Sequence, residues 1–292
     1  MIQLSDKELL SELEKRFEIN QQALNELRQM TEKLKSVNKK LEESEALKSH
    51  FLSNIRNEII NPFASIMALS KNIMQLKEEN IAKGRDMGRL ILTEAFILDF
   101  QLQNIFAAAE LEAGYIVPQI TNTDVKMLIR DVISSFETYA TQRKITIEHH
   151  CKLKGDANDQ KFFKTDVAKL QLILSNLLSN AITYSEENQT VVTTISEKDN
   201  KIVVSIKDFG KGVDDENQSL IFDRFKKLED RIYTLNAGPG LGLSIVKEFV
   251  DVLKGEIILN SNKNEGTEFI VTIPESENED LNFFEEGNTE LF

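Results

Sequence analysis

Three short runs in the second half of the chain carry residue types suited to a magnesium nucleotide. Asn176 and Asn180 lie four apart in an apolar run of Leu170, Ile173, Leu174, Leu177 and Leu178. That spacing puts both carboxamides on one face of a helix. A carboxamide oxygen is a neutral, hard ligand for a Mg²⁺ that stays mostly coordinated by water and phosphate. Asp208 ends the strand-like run Ile202 to Ile206, and Gly210 and Gly212 follow it. A buried carboxylate there accepts a hydrogen bond from an adenine amino group, and the glycines let the backbone approach the base. Gly238, Gly240 and Gly242 then precede the apolar helix Leu243 to Leu253. Such a turn offers free N–H groups and a positive dipole end to phosphate. Pro239 restricts one φ angle inside it and leaves the glycines their role.

Taken singly, each run has an ordinary explanation: two amides on a solvated face, a turn after a strand, a loop before a helix. Taken together and in order, they resemble the catalytic, ATP-binding domain of the histidine kinases of two-component signalling. The resemblance extends to Ile221–Phe225, which looks like the family's phenylalanine box, and to Asn264–Thr267 near the last strand. It implies ATP and Mg²⁺ as cofactors, with Asn176 and Asn180 on the metal and Tyr184 stacked on adenine. Asp208, Gly210, Gly212, Gly238, Gly240, Leu241, Gly242, Leu243 and Thr267 complete the implied nucleotide site. One position departs from the pattern: the family's phosphate-facing Lys or Arg, three residues after the second asparagine, is here Thr183. Losing that cation weakens phosphate contact by about 1–3 kcal/mol. Lys226, Lys227 and Arg231 are the candidates to compensate.

The segment Lys48 to Phe63 resembles the same family's phosphoacceptor helix. Phe51, Glu58, Asn61 and Pro62 match, but the histidine position holds Asn57. An imidazole nitrogen has a free in-plane lone pair. An amide nitrogen has its lone pair delocalised into the carbonyl, so no phosphorylation is expected at 57. His50 lies seven residues earlier, about 10 Å along a helix, and is followed by Phe51 rather than an orienting acid. His149 and His150, beside Cys151 in a strand-like run, make a poor metal site. Glu58 and Asn61 keep the family's acid-x-x-Asn spacing, which implies a place in phosphoryl transfer or in orienting water on a partner's aspartyl phosphate.

The surrounding chain indicates how these groups are carried. Leu10, Phe17, Leu24, Thr31 and Asn38 recur every seven residues, interleaved with Leu13, Asn20, Leu27, Leu34 and Leu41. That pattern predicts a coiled coil over 1–44, with Asn38 fixing register in a dimer. A helical hairpin is expected over 45–114, its second helix near 84–113, forming a four-helix bundle when two chains pair. Alternating helix and strand patterns over 118–275 predict an α/β sandwich with helices on one face of a mixed sheet. An acidic tail, 276–292, carries Phe283, Phe284, Leu291 and Phe292. The fold class is therefore α+β, and the resemblance places the ATP-binding domain in the histidine kinase, gyrase and chaperone type.

Composition narrows the partners. The net charge of −13, from 48 acids against 35 bases, disfavours nucleic acid and anionic membranes. The single Cys fits a reducing compartment. No apolar run approaches the ~18–20 residues of a membrane span, and no signal-peptide pattern opens the chain, so a cytoplasmic place is expected. The resemblance implies a homodimer, or a heterodimer with another histidine kinase, and a response-regulator receiver domain as partner. Three readings follow. The first is a Mg-ATP-binding relative of these kinases acting as scaffold, response-regulator phosphatase or kinase partner. The second is an active kinase with another acceptor, His50. The third is an unrelated ATPase on the same fold, which the hairpin argues against.

Overall fold

The computed structural model describes residues 6–77, 80–114, 116–153, 161–224 and 240–277; within the first helix, side chains 15–17, 19–39, 41, 42, 45 and 59 onward are described. That helix, α1, covers Asp6–Met74 and contributes to two units, Met1–Ser53 and Asn54–Phe292. In the first unit Phe17, Leu24, Leu27, Leu34 and Leu41 are all exposed. Two polar residues of the expected seam find partners on their own helix. Thr31 Oγ1 donates to the Leu27 carbonyl at 2.7 Å, and Asn38 Nδ2 donates to Glu42 Oε1 at 3.2 Å.

In the second unit α1 continues through Pro62, which is buried and has no N–H for the carbonyl four residues back. Helix α2 runs Ile81–Ala113 and stops at Gly114 in the left-handed conformation. Ser65 Oγ on α1 donates to Glu94 Oε1 on α2 at 3.3 Å. By length and composition α2 is apolar enough to cross a membrane, which amends the expectation drawn from unbroken apolar runs. Part of that apolar surface has a protein partner. Phe96 and Phe100 both meet Phe136 edge-to-face, at 4.9 and 5.8 Å between centroids.

Two aspartates launch the next helices. β1 (Ile120–Asp124) pairs antiparallel with β3 (Phe162–Asp166) in a two-stranded sheet. Each strand ends on an N-cap. Asp124 accepts from the N–H groups of Lys126 and Met127 to start α3 (Val125–Gln142). Asp166 accepts from Lys169 N–H to start α4 (Val167–Tyr184). A carboxylate at that position satisfies orphan donors and favours the helix dipole. Neither β1 nor β3 is among the strands expected from sequence.

The five-stranded sheet has the order β2-β4-β5-β7-β6, made of Thr146–Lys152, Thr190–Lys198, Lys201–Lys207, Gly266–Pro274 and Glu256–Asn262 respectively. β2 and β4 are parallel and the other pairs antiparallel, so the sheet is mixed as expected. Strict alternation buries Val191 and Ile195 of β4, Ile202, Val204 and Ile206 of β5, and Phe269, Val271 and Ile273 of β7. Their partners are the apolar faces of α3, α4 and α5 (Gly242–Val252), whose Phe136, Leu170, Ile173, Leu177, Ile182 and Ile245 are also buried. His149 and His150 lie on the edge strand β2, and among the described residues no cluster of three His, Cys, Asp or Glu is placed to hold a metal.

Phe136 is 1% exposed between α2 and the sheet helices. Phe136→Ala is expected to cost ~3–5 kcal/mol of stability, read as a lowered urea midpoint. A loss below 1 kcal/mol would mean that α2 does not pack on α3 in solution.

Candidate functional site

Asp208 follows β5 and is 5% exposed. Its Oδ1 accepts from Gly210 N–H at 2.9 Å and from Thr267 N–H at 3.2 Å. Its backbone N–H donates to the Thr267 carbonyl at 2.8 Å. The carboxylate is thus pinned between the end of β5 and the start of β7, with Oδ2 left for another donor. Burial pushes its pKa above the usual carboxylate value, against the two backbone N–H groups, which lower it.

The glycines are packed, not merely flexible. A Cβ on Gly210 would collide with the Tyr184 carbonyl at the end of α4. On Gly212 it would strike the Asn262 carbonyl, and on Gly266 the Asp208 carbonyl; both of these glycines have positive φ. The strand end, the β6–β7 turn and the end of α4 therefore close on one another around Asp208. Tyr184 itself stays 53% exposed beside the Asp208 turn. Thr267 is buried, with Oγ1 3.0 Å from Ser261 Oγ.

Two turns before Tyr184 the asparagines part company. Asn180 is half-buried, whereas Asn176 is 4% exposed, on no solvated face. Asn176 Nδ2 donates to Asn104 Oδ1 at 2.7 Å and to the Leu172 carbonyl at 2.9 Å. Its Oδ1 lies against the start of α5, where a Cβ on Gly242 would come within 2.5 Å of it. Gly240 has positive φ, Leu241 is fully buried as the α5 N-cap, and Leu243 is half-buried in the first turn. Phe222 meets Phe269 edge-to-face at 6.4 Å. Gly238, Pro239, Phe225, Lys226, Lys227 and Arg231 lie outside the described residues, as do the side chains of His50, Phe51, Asn57 and Glu58, and the tail from 278. Asn61 is exposed on α1.

Two residues that sequence reasoning missed enter here. Asn104 of α2 reaches Asn176, as above. At Thr183 a cation does arrive, from α3: Arg143 Nη2 donates to the Thr183 carbonyl at 3.1 Å and Nη1 to Tyr139 Oη at 3.4 Å. Tyr139 Oη in turn lies 3.4 Å from Thr183 Oγ1. Neither residue belongs to a motif, and contact across 40 or more residues leaves no local signal.

The observed arrangement fits an adenine nucleotide. It offers a buried acceptor with close-packed glycines behind it, amides on α4, and a glycine-led helix start facing them. Comparison with known proteins agrees. Residues 165–277 match the family described as histidine kinase-, DNA gyrase B-, and HSP90-like ATPase. The chain is 25% identical over 274 residues to circadian input-output histidine kinase CikA of Thermosynechococcus vestitus, a match covering 94% of this chain and 37% of that protein. It is 26% identical over 259 residues to signal transduction histidine-protein kinase BarA of Escherichia coli, covering 85% and 28%. The chain thus spans about a third of the length of these relatives. Full-length ShkA, crystallised in complex with AMPPNP, shares the fold with a TM-score of 0.52 at 21% identity, over 80% of this chain and 46% of that one.

Asp208→Asn removes the buried charge and keeps an oxygen for Gly210 and Thr267. Since the native pKa is raised, ionised Asp208 costs stability at neutral pH, and the cost fades as acid protonates it. The variant is expected to melt above the parent at pH 7, the gap narrowing as pH falls toward 4. A gap independent of pH would show that Asp208 titrates alike in the folded and unfolded chain, with no burial effect on its carboxyl.

Proposed function

We propose, from the premise that residues 165–277 are a histidine-kinase-type ATPase domain, that the chain binds Mg-ATP and serves two-component signalling without phosphorylation at position 57. What supports this reading is the buried Asp208 held by Gly210 and Thr267, with Gly210 against the Tyr184 carbonyl at the end of α4, and Asn176 of the same helix against the start of α5. Asp208 would accept from the adenine amino group, and Tyr184 would stack on the ring. Asn180, the more accessible amide, would take the metal directly, with the Asn176 oxygen beside it. Gly240, Leu241 and Gly242 would offer backbone N–H groups to phosphate, joined by Gly212, Gly238 and Leu243. When bound, the metal nucleotide supplies a transferable phosphoryl group.

At position 57 an amide replaces the acceptor imidazole, so the chain's own residues cannot complete the family's autokinase step there. Glu58 and Asn61 remain one turn apart before Pro62, and Asn61 is exposed. That pair suits the orientation of water on a receiver domain's aspartyl phosphate. The role is therefore that of a response-regulator phosphatase, scaffold or partner to another kinase, in a dimer. Exposed Ile60, Phe63, Met67, Leu92 and Phe106 on α1 and α2, with Phe17, Leu24, Leu27 and Leu34 upstream, give a second chain an apolar surface to cover.

Incubation with γ-labelled Mg-ATP separates these readings. The parent chain is expected to bind ADP yet carry no acid-labile label, whereas Asn57→His gains it. Label on the parent would overturn the reading and direct mapping to His50. Absence of ADP binding by calorimetry would remove the nucleotide site altogether.

A further inference from the structure

Asn104 is 3% exposed on α2, a helix outside the ATPase domain match. Its amide is fixed at both ends. Nδ2 donates to the Phe100 carbonyl one turn earlier at 3.0 Å, so Oδ1 is the atom turned toward Asn176. Asn176 answers with Nδ2, whose second hydrogen goes to the Leu172 carbonyl. Both hydrogens of Asn176 are thereby spent on the side facing α2 and its own helix. Its oxygen is left on the side of Gly242, at the glycine-led start of α5. Reversing Asn104 would set its oxygen against the Phe100 carbonyl and its N–H₂ against that of Asn176. Reversing Asn176 would set its oxygen against the Asn104 oxygen and the Leu172 carbonyl, so the orientation is set by backbone and propagates in one direction.

The neighbouring contacts hold α2 in the register this requires. Thr93 and Gln101 are buried on the same helix, Gln142 Nε2 donates to Thr93 Oγ1 at 2.9 Å, and Phe96 and Phe100 clasp Phe136. We propose that Asn104 is a positioning residue for the metal side of the nucleotide site: through the Phe100–Asn104–Asn176 chain it presents the Asn176 oxygen toward α5, so that site is complete only while α2 is docked. The proposal rests on the nucleotide reading above and deepens it. By linkage, whatever favours the docked α2 tightens Mg-nucleotide binding, and Mg-nucleotide binding holds α2 in place by the same factor.

The test is the ratio of ADP affinities with and without Mg²⁺, measured by calorimetry on the full chain. Asn104→Leu is close in size and removes the acceptor; it is expected to cut the Mg²⁺ enhancement about tenfold. Metal-free ADP affinity should change little. Asn104→Asp keeps an oxygen toward Asn176 but buries a carboxylate beside the Phe100 carbonyl, so it is expected to melt lower than Asn104→Leu and yet retain the enhancement. Gly242→Ala, which crowds the Asn176 oxygen directly, should likewise lower the Mg²⁺ enhancement, on top of any change in metal-free affinity. If the two Asn104 variants lose the enhancement in order of their melting temperatures, Asn104 is only packing and the proposal fails. An unchanged enhancement in Asn104→Leu also overturns it, while the nucleotide reading stands. No ADP binding by the parent chain sinks both.

Discussion

The C-terminal unit depends on how closely three stretches of backbone meet at the Asp208 turn. Gly210 lies against the Tyr184 carbonyl, Gly212 against Asn262 and Gly266 against Asp208 itself. No side chain fits at any of these, so the end of α4, the end of β5 and the β6–β7 turn are mutually located by steric exclusion. Everything ligand-facing inherits its position from that knot. Asp208 is aimed by Gly210 and Thr267, Tyr184 by the carbonyl that Gly210 abuts, and Asn176 and Asn180 by the same helix two turns and one turn back.

The knot also sets a tension. A carboxylate that is 5% exposed and held by only two backbone donors loses more hydration than it regains, and its raised pKa records the deficit. A structure that needed only the turn would do better with an asparagine, whose oxygen takes the same two N–H groups at a smaller desolvation cost than a carboxylate. The charge makes sense as an acceptor for a donor from outside the chain.

How much of this was legible in the sequence follows from how local each feature is. Glycine spacing after strands, the four-residue asparagine interval and strict alternation in β4, β5 and β7 are short-range signals, and the sheet and site motifs emerge from them. β1 and β3 were missed although each ends in the same tripeptide, Thr123-Asp124-Val125 and Thr165-Asp166-Val167, an N-cap before an apolar helix. The cue lay in the caps, since five-residue strands such as Ile120–Asp124 alternate too briefly to register. Asn104 and Arg143 were invisible for a different reason. A polar residue on an amphipathic helix reads as solvent-facing until another helix arrives, and the arriving residues, Asn176 and Thr183, are 72 and 40 positions away.

The same lesson applies to α2 as a whole. Its apolarity, enough on composition to suggest a membrane, is shared between Phe96 and Phe100 on Phe136 and an outward set, Leu92 and Phe106, that is exposed among the described residues. Buried among the first set are Thr93, Gln101 and Asn104, and each buried polar group demands a partner in a defined place. A purely apolar seam would let α3 and α4 slide along α2 at little cost. The bonds from Gln142 to Thr93 and from Asn176 to Asn104 admit one register only, because a slip of one residue would orphan both. Specificity of docking thus comes from the few polar contacts, strength from the aromatic ones, and one of those polar contacts is with Asn176, whose oxygen lies against the start of α5.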